Sequence, residues 1–189
     1  IFAEKNLIDP NIPDSWYEAP KLASEWGIGS FSQSPMLEKK TQNGELPPVE
    51  NRLPDDPPVV EPLEKVGEYT DKITIWAKSD FRGNTMYFKW PERNGGAGRP
   101  TPDGRKMVPN LVRKWEFTDD YKGFTLYLRE GLCWSDGQPL TAEDYMYWWK
   151  YEANNKDLTP TPPEKWNPPL LDVVKEGKYA VTFKFGKKV

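Results

Sequence analysis

Apolar and polar residues alternate over several short stretches of this chain, and this period of two predicts strands with one buried face. Residues 72–78, 124–129 and 179–185 carry the alternation. The run at 110–117 is followed by an acidic turn at 118–123, so it predicts a β-hairpin with 124–129. The residues predicted to face inward are Ile73, Ile75, Ala77, Phe124, Leu126, Leu128, Tyr179, Val181, Phe183 and Phe185.

A period near 3.6 predicts a helix over residues 142–154. Thr141 is the predicted N-cap, and Asp144, three residues later, completes a weaker form of the capping box. Residues spaced to share one helix face are predicted to line a core: Tyr145, Trp148, Trp149 and Glu152.

Residues 1–68 are predicted to form an extended, Pro-rich leader with two short helices. One helix is predicted near 16–26 and one over 36–42, the latter with Ser34 as its N-cap. Residues 46–63, the Pro-rich strap, contain six prolines and are therefore predicted to run extended over a surface. A disordered linker is the alternative. Apolar residues favour a strap that packs: Leu46, Val49, Leu53, Val59, Val60 and Leu63.

Residues 69–189 are predicted to form an α+β subdomain, with antiparallel hairpins, a small mixed sheet, a few helices and long Pro-rich straps. Residues 85–90 are apolar enough for a further helix or strand. Residues 91–105 are predicted to be a loop that ends in a tight turn at Asp103–Gly104, and 157–169 are again Pro-rich.

Charge and composition exclude several classes of protein. The net charge is -3, without the basic footprint of a nucleic-acid binder. No apolar run reaches the roughly 18 residues that a membrane span needs. The first residues lack the pattern of a signal peptide, so we expect a cytoplasmic chain, a mature chain after cleavage, or an excised piece.

Catalytic and metal-binding groups are sparse. The chain has no histidine, which excludes Ser-His and Cys-His catalysis and a His-based metal site. Cys133 is the lone cysteine and is predicted to be a small buried side chain rather than a nucleophile or redox thiol. Adjacent carboxylates are predicted to serve turns and caps, so we predict neither catalytic residues nor a cofactor: Asp55–Asp56, Asp119–Asp120 and Glu143–Asp144.

Cation and phosphate sites are not predicted either. Asp80, Asp136 and Asp144 lack the calcium-loop spacing, so we predict no metal. The glycines of 95–99 lack the Gly-Lys-Ser/Thr ending of a phosphate loop and are predicted to form a flexible turn.

Tryptophan is the residue type best suited to ligand contact in this chain, which has nine of them. Trp76 lies on the strand face opposite the apolar one and, with Trp90, can face a ligand. Four others are predicted to lie in the core: Trp115, Trp134, Trp148 and Trp149.

One continuous block resembles a known family. It consists of Val108–Leu111, Trp115–Phe117, Asp119–Asp120, Phe124–Arg129, Glu130–Gly131, Trp134–Gly137 and Pro139–Asp144. In order and spacing it resembles the bacterial extracellular solute-binding proteins of family 5, the oligopeptide-, dipeptide- and nickel-binding group. The strap is similar to the leader of a longer-chain subgroup, although 67–71 departs from that subgroup's Gly-Lys-Tyr-Gly-Gly run.

The resemblance implies a part of a two-lobed periplasmic-binding-protein type II fold, here an amino-terminal fragment. It implies an exported protein, periplasmic or lipid-anchored outside the cell, without chemistry of its own. Such a protein delivers a peptide or an oligosaccharide to the permease subunits of an ABC importer. The loop after the first strand is implied to reach the ligand. With the two tryptophans, the predicted binding residues are Trp76, Ser79, Asp80, Phe81, Arg82 and Trp90.

An alternative from another class is a carbohydrate-binding or interaction module of a secreted protein. A permease and an ATPase encoded beside the gene would support transport. A glycosidase domain in the same reading frame would support the module.

Overall fold

The computed structural model describes residues 14–62, 64–70, 96–134 and 136–189. The predicted strand at 72–78 and the apolar run at 85–90 lie outside the described residues. The chain divides into two compact units. The first comprises 1–52 and 56–110, and the second comprises 53–55 and 111–189.

The first unit contains one α-helix among its described residues, α1, over Pro35–Gln42. The sequence prediction of this helix is confirmed, with proline in its first turn. The predicted helix near 16–26 is wrong, since only the short 3₁₀ turns Asp14–Tyr17 and Ser24–Trp26 form there. Pro20 lies between these turns, and a proline inside a helix removes a backbone donor and clashes with the preceding turn.

The described part of the Pro-rich strap packs against the chain. The prediction of a strap that packs is therefore confirmed, and the alternative of a disordered linker is not. Its backbone makes two hydrogen bonds with residues 21–23, from Ala23 N to Pro57 O (2.9 Å) and from Val59 N to Lys21 O (2.8 Å). Pro57 is buried, whereas Val60 is 53% exposed. A 3₁₀ turn, Val49–Arg52, interrupts the extended course.

A small hairpin ends the first unit and corrects the predicted loop. Strand β1, Gly98–Pro100, pairs antiparallel with β2, Met107–Pro109. The tight turn at Gly104 is present, with φ of 70°. The turn brings Pro100 opposite Met107, so the residues before it pair as a strand rather than forming a loop, and Val108 of the second strand is buried.

The second unit is a four-stranded antiparallel sheet in the order β3-β4-β6-β5. Its strands are β3 Val112–Phe117, β4 Gly123–Leu128, β5 Leu170–Lys175 and β6 Ala180–Phe185. The predicted hairpin is confirmed as β3–β4, and the predicted final strand as β6. The buried apolar residues are Val112, Leu126, Leu128, Ala142, Ala153, Leu170, Val173, Ala180 and Val181.

Strand β5 is absent from the sequence prediction. Its buried residues, Leu170 and Val173, are three positions apart because the register shifts between Leu170 and Asp172. A bulge of this kind adds a residue and breaks the alternation that identifies a strand in a sequence.

The predicted helix over 142–154 forms in two parts. Residues Ala142–Tyr147 are α-helical (α2), and Trp148–Ala153 form a π-helix. Glu152, predicted to share the core-facing stripe, is exposed, because the wider turn of a π-helix changes which residues share a face.

Candidate functional site

The predicted ligand-binding residues all fall within 71–95 and lie outside the described residues: Trp76, Ser79, Asp80, Phe81, Arg82 and Trp90. Their role stays a prediction. Within the described residues, polar and aromatic side chains gather in the second unit, around the start of α2.

A hydrogen-bonded cap fixes the start of α2. Thr141 Oγ1 accepts from the backbone N–H of Glu143 (3.2 Å), and the backbone N–H of Thr141 donates to Asp144 Oδ2 (2.7 Å). Trp134 Nε1 donates to Asp144 Oδ1 (3.0 Å). The predicted capping box is therefore present in both directions, and both carboxylate oxygens of Asp144 are used by the cap.

The turn before this cap is equally well fixed. Asp136 Oδ1 accepts from the Gln138 N–H (2.9 Å), Trp134 N donates to Gln138 O (2.8 Å), and Gly137 has φ of 87°. The prediction that Asp136 and Asp144 serve turns and caps is confirmed. Among the described residues, no group of three or more cysteine, aspartate or glutamate side chains could hold a metal ion.

Next to the cap lies a groove of about 590 Å³, which we call the tyrosine groove. It is lined by the turn and by one side of α2 and the π-helix. Its residues are Gln138, Pro139, Thr141, Glu143, Asp144, Met146, Tyr147, Lys150 and Tyr151. A mixed apolar and polar concavity of this size suits the binding of a small polar ligand.

Two tyrosines give the groove its aromatic surface. The ring centroids of Tyr147 and Tyr151 are 4.9 Å apart, with the ring planes tilted by 44°. The two residues are 59% and 49% exposed. The ammonium group of Lys150 lies 4.9 Å from the centroid of the Tyr151 ring, at cation-π distance. Sequence reasoning did not predict this pair, although their spacing of four residues places them on one helix face.

One charge of the groove is balanced by an ion pair. Glu143 forms an ion pair with Lys175 of β5. Burial, and secondarily the charge of Asp144, raise the pKa of Tyr145, which therefore stays a neutral phenol at physiological pH. This arrangement can bind and orient a ligand. The lining residues include no histidine or cysteine, and the hydroxyl of Thr141, which lies 3.4 Å from Asp144 Oδ2, belongs to the capping box.

One member of each of the other two carboxylate pairs also serves local structure. Asp120 accepts from Lys122 N (2.9 Å) and from the Thr118 hydroxyl (2.8 Å), and these bonds hold its pKa below the usual value. Asp56 accepts from the backbone N–H and the hydroxyl of Ser24 in the first unit (3.0 and 2.6 Å).

Two burial predictions fail around the turn. Cys133 is exposed rather than buried, since it forms an isolated bridge with Pro139 at the surface of the turn. Trp134 is 52% exposed rather than in the core, because its indole N–H reaches the cap of α2.

The remaining tryptophans predicted to lie in the core are only half-buried: Trp115, Trp148 and Trp149. Trp148 contacts Trp149 and Trp166 at centroid distances of 6.2 and 6.4 Å. Trp166 has no predicted role from the sequence, yet it extends this aromatic cluster.

No helix within the described parts of the chain combines the length and the apolar character needed to cross a membrane.

Comparison with known proteins connects this geometry to one family. Residues 106–189 match the family model of the bacterial extracellular solute-binding proteins, family 5 Middle. The chain is 29% identical over 146 residues to the periplasmic alpha-galactoside-binding protein of Rhizobium meliloti (strain 1021). This alignment covers 66% of this chain and 20% of that protein. It is 42% identical over 52 residues to the periplasmic oligopeptide-binding protein OppA of Salmonella typhimurium, covering 28% of this chain and 9% of the relative.

Solved structures agree on the fold. An oligopeptide-binding protein OppA superposes with a TM-score of 0.69 at 32% identity, over 94% of this chain and 27% of that one. The periplasmic binding protein MelB of Agrobacterium fabrum C58, solved with stachyose, gives a TM-score of 0.62 at 22% identity. This superposition covers 85% of this chain and 27% of MelB. The predicted α+β part of a two-lobed periplasmic-binding-protein fold is thus confirmed. The chain spans little more than a quarter of these structures.

Proposed function

We propose that the complete protein is the substrate-binding component of an ABC importer, because residues 106–189 match the family model of the bacterial extracellular solute-binding proteins, family 5. It captures an extracellular peptide or oligosaccharide and delivers it to the membrane permease. One observation carries this proposal. The block from Val108 to Asp144 matches the family in sequence, and its turn and capping box are present in the second unit.

The ligand class is either peptide or oligosaccharide. The relatives include an oligopeptide-binding protein and an alpha-galactoside-binding protein, which supports both classes. We propose that the loop residues Ser79, Asp80, Phe81 and Arg82 contact this ligand together with Trp76 and Trp90. Aromatic rings supply contact area, and the polar side chains orient the ligand through hydrogen bonds, as in other small-ligand sites.

We further propose that the protein acts by binding alone. Asp120, Asp144 and Glu143 are used by a turn, a cap and an ion pair, which supports this proposal. Permease subunits are its proposed partners. Its proposed location is outside the cytoplasm, periplasmic or lipid-anchored, in keeping with the periplasmic relatives.

The proposed division places a leader at 1–68 and the solute-binding subdomain at 69–189. In the complete protein, we propose that the ligand cleft has walls from both lobes. This chain alone is then expected to bind neither peptides nor cello- or xylo-oligosaccharides tightly. Titration calorimetry of the 189-residue chain checks this, and a micromolar or tighter constant would contradict the two-lobed cleft.

The transport proposal is tested on the full-length gene product. Calorimetry against tripeptides, raffinose and xylo-oligosaccharides should give micromolar affinity for one class. Trp76→Ala and Arg82→Ala should each weaken it by about tenfold, the equivalent of about 1.4 kcal/mol. Trp166→Ala, a partly exposed residue of the second unit, is the matched control and should leave the affinity unchanged.

Two results would overturn the transport proposal. One is the absence of binding to every ligand class by a well-folded full-length protein. The other is turnover, seen by chromatography as hydrolysis products after incubation with the same ligands.

A further inference from the structure

We propose that the tyrosine groove is itself a low-affinity site for a neutral saccharide. This inference concerns residues 138–151 only and does not rest on the proposed transport role. It follows from the exposed rings, the polar groups around them, the local charge balance and the rigidity of the groove.

The rings supply the surface on which a sugar stacks. A pyranose ring has an apolar face of C–H groups, and aromatic side chains offer a large, rigid and partly apolar surface to it. Tyr147 and Tyr151 lie side by side at 4.9 Å and leave about half of each residue exposed. Both hydroxyl groups can in addition donate or accept hydrogen bonds.

The groove also contains the donors and acceptors that sugar hydroxyls need. The side-chain amide of Gln138 makes no hydrogen bond with any described residue, and it carries both a donor and an acceptor. Glu143 uses one carboxylate oxygen for Lys175, which leaves the other oxygen as an acceptor. Lys150 adds an ammonium donor beside the Tyr151 ring.

Charge favours a neutral ligand over an ionic one. The charge of Glu143 is balanced by Lys175. Asp144 is held by the backbone of Thr141 and the indole of Trp134. The charge of Lys150 lies against the Tyr151 ring. Lys150 is the one cation among the lining residues, which also include the carboxylates of Glu143 and Asp144, so the groove does not favour a carboxylate or phosphate ligand.

The groove is pre-organised and of suitable size. Its volume of about 590 Å³ lies within the usual range of small-ligand sites, roughly 300–1,000 Å³. One wall is the hydrogen-bonded turn, in which Leu140 N donates to Leu132 O (2.7 Å), and the other is a capped helix. Lys150 and Tyr151 lie on the π-helix, a rare structure that is frequent at functional sites. A fixed groove loses little entropy when it binds.

The test is a ¹⁵N-HSQC titration of the 189-residue chain with raffinose and, separately, with trialanine. Raffinose should shift the amides of 138–151, with saturation in the millimolar range. Tyr147→Ala and Tyr151→Ala should each weaken this binding roughly three- to tenfold, the value of one aromatic contact. Tyr147→Phe keeps the ring and should retain most of the affinity.

Tyr69→Ala is the matched control, since this tyrosine of the first unit is 61% exposed. It should bind raffinose as the parent chain does. The inference is overturned if raffinose shifts no amide in 138–151, if Tyr147→Ala binds it normally, or if trialanine shifts the same amides equally. The high-affinity binding proposed for the full-length protein should persist in Tyr147→Ala, so the two proposals fail separately.

Discussion

The second unit is held together by a buried apolar core, whereas the described part of the first unit is held largely by individual hydrogen bonds. In the second unit, Leu126 and Val181 pair across β4 and β6, and Phe124 stacks on Phe183 at 5.2 Å. Thr182 of β6 is also buried, and its hydroxyl group lies 2.8 Å from that of Thr125. Burial of apolar surface is the main driving force here.

In the first unit, the described residues that are buried are few: Ala23, Pro57, Thr101 and Val108. Specific bonds hold the strap instead, such as Trp16 Nε1 to Glu61 O (2.6 Å) and Arg52 Nε to Pro47 O (3.1 Å). A typical hydrogen bond contributes about 0.5–1.5 kcal/mol net, less than a buried leucine. The comparison therefore predicts where single substitutions have large effects and where they have small ones.

The largest effect is expected in the sheet core. Leu128 is 1% exposed, so Leu128→Ala should lower the free energy of unfolding by about 2–5 kcal/mol through lost burial and a cavity. Trp16→Phe, which removes one strap hydrogen bond, should lower it by about 0.5–1.5 kcal/mol. The free energy of unfolding of both variants is measured in urea, with amide hydrogen exchange as the probe of each unit.

Leu158→Ala is the control for the core substitution, since Leu158 is 66% exposed. It should change stability by less than about 0.5 kcal/mol. Equal losses for Leu128→Ala and Trp16→Phe would contradict the difference between the units.

The next effect concerns the strap residues 53–55, which belong to the second unit. Asp55 N donates to Glu130 O (3.2 Å), and a Cβ on Gly131 would lie 2.6 Å from Asp55 N. Gly131 also has φ of 78°. Gly131→Ala should therefore destabilise the protein by about 2–4 kcal/mol, the sum of left-handed backbone strain and overpacking.

Gly137→Ala isolates the backbone part of this loss. Gly137 has φ of 87°, and a Cβ added to it would meet no other atom within 4 Å. The substitution should cost about 1–2 kcal/mol of stability from strain alone. Thermal unfolding of both variants measures the difference, and an equal loss would mean that the Asp55 contact contributes nothing.

A smaller effect separates the two α-helices. Thr141 caps α2 with its side chain, whereas Ser34, at the same position before α1, makes no side-chain cap hydrogen bond. Thr141→Ala should lower the free energy of unfolding by about 1 kcal/mol. Ser34→Ala should lower it by less than about 0.5 kcal/mol. Chemical denaturation measures the free energy of unfolding of the two variants. A larger loss for Ser34→Ala would mean that the side chain of Ser34, rather than that of Thr141, is the stronger helix cap.

The same contrast explains how much the sequence could predict. In β6, Ala180, Val181 and Thr182 are all buried, so both faces of this strand are covered. Leu126 and Leu128 of β4 obey the alternation that a strand with one buried face imposes. Leu170 and Val173 do not, because the bulge in β5 adds a residue between them. The capping box was predictable because Thr141 and Asp144 are only three residues apart.

Tertiary features were less accessible. Cys133 was expected to be buried from its residue type, but its place on a surface turn exposes it. The tyrosine groove depends on a turn that closes against the helix, and helical periodicity does not reveal such a contact. Tyr147 and Tyr151 are nevertheless four residues apart, a spacing that was available as a signal.

The smallest expected effect is on the pKa values of two exposed carboxylates, one in each unit. In the second unit, the Lys114 ammonium, and then the Tyr127 hydroxyl, donate to Glu116 and lower its pKa below the usual value. In the first unit, the hydroxyl of the buried Thr101, and then the Arg105 backbone N–H, lower the pKa of Asp103. Both groups therefore contribute stability above their unfolded pKa, and this is lost as the pH falls through the folded pKa.

Salt distinguishes the two causes. An exposed charge interaction is screened at high ionic strength, whereas a hydrogen bond from a neutral hydroxyl is affected much less. In NMR titrations of the side-chain carboxyl carbons, added sodium chloride should raise the pKa of Glu116 more than that of Asp103. Lys114→Met should raise the pKa of Glu116 even at low salt, and more than Tyr127→Phe does. If the pKa of Glu116 were unchanged in Lys114→Met, its lowering would come from the Tyr127 hydroxyl. Glu116 would then resemble Asp103 of the first unit, whose pKa is lowered by neutral hydrogen-bond donors.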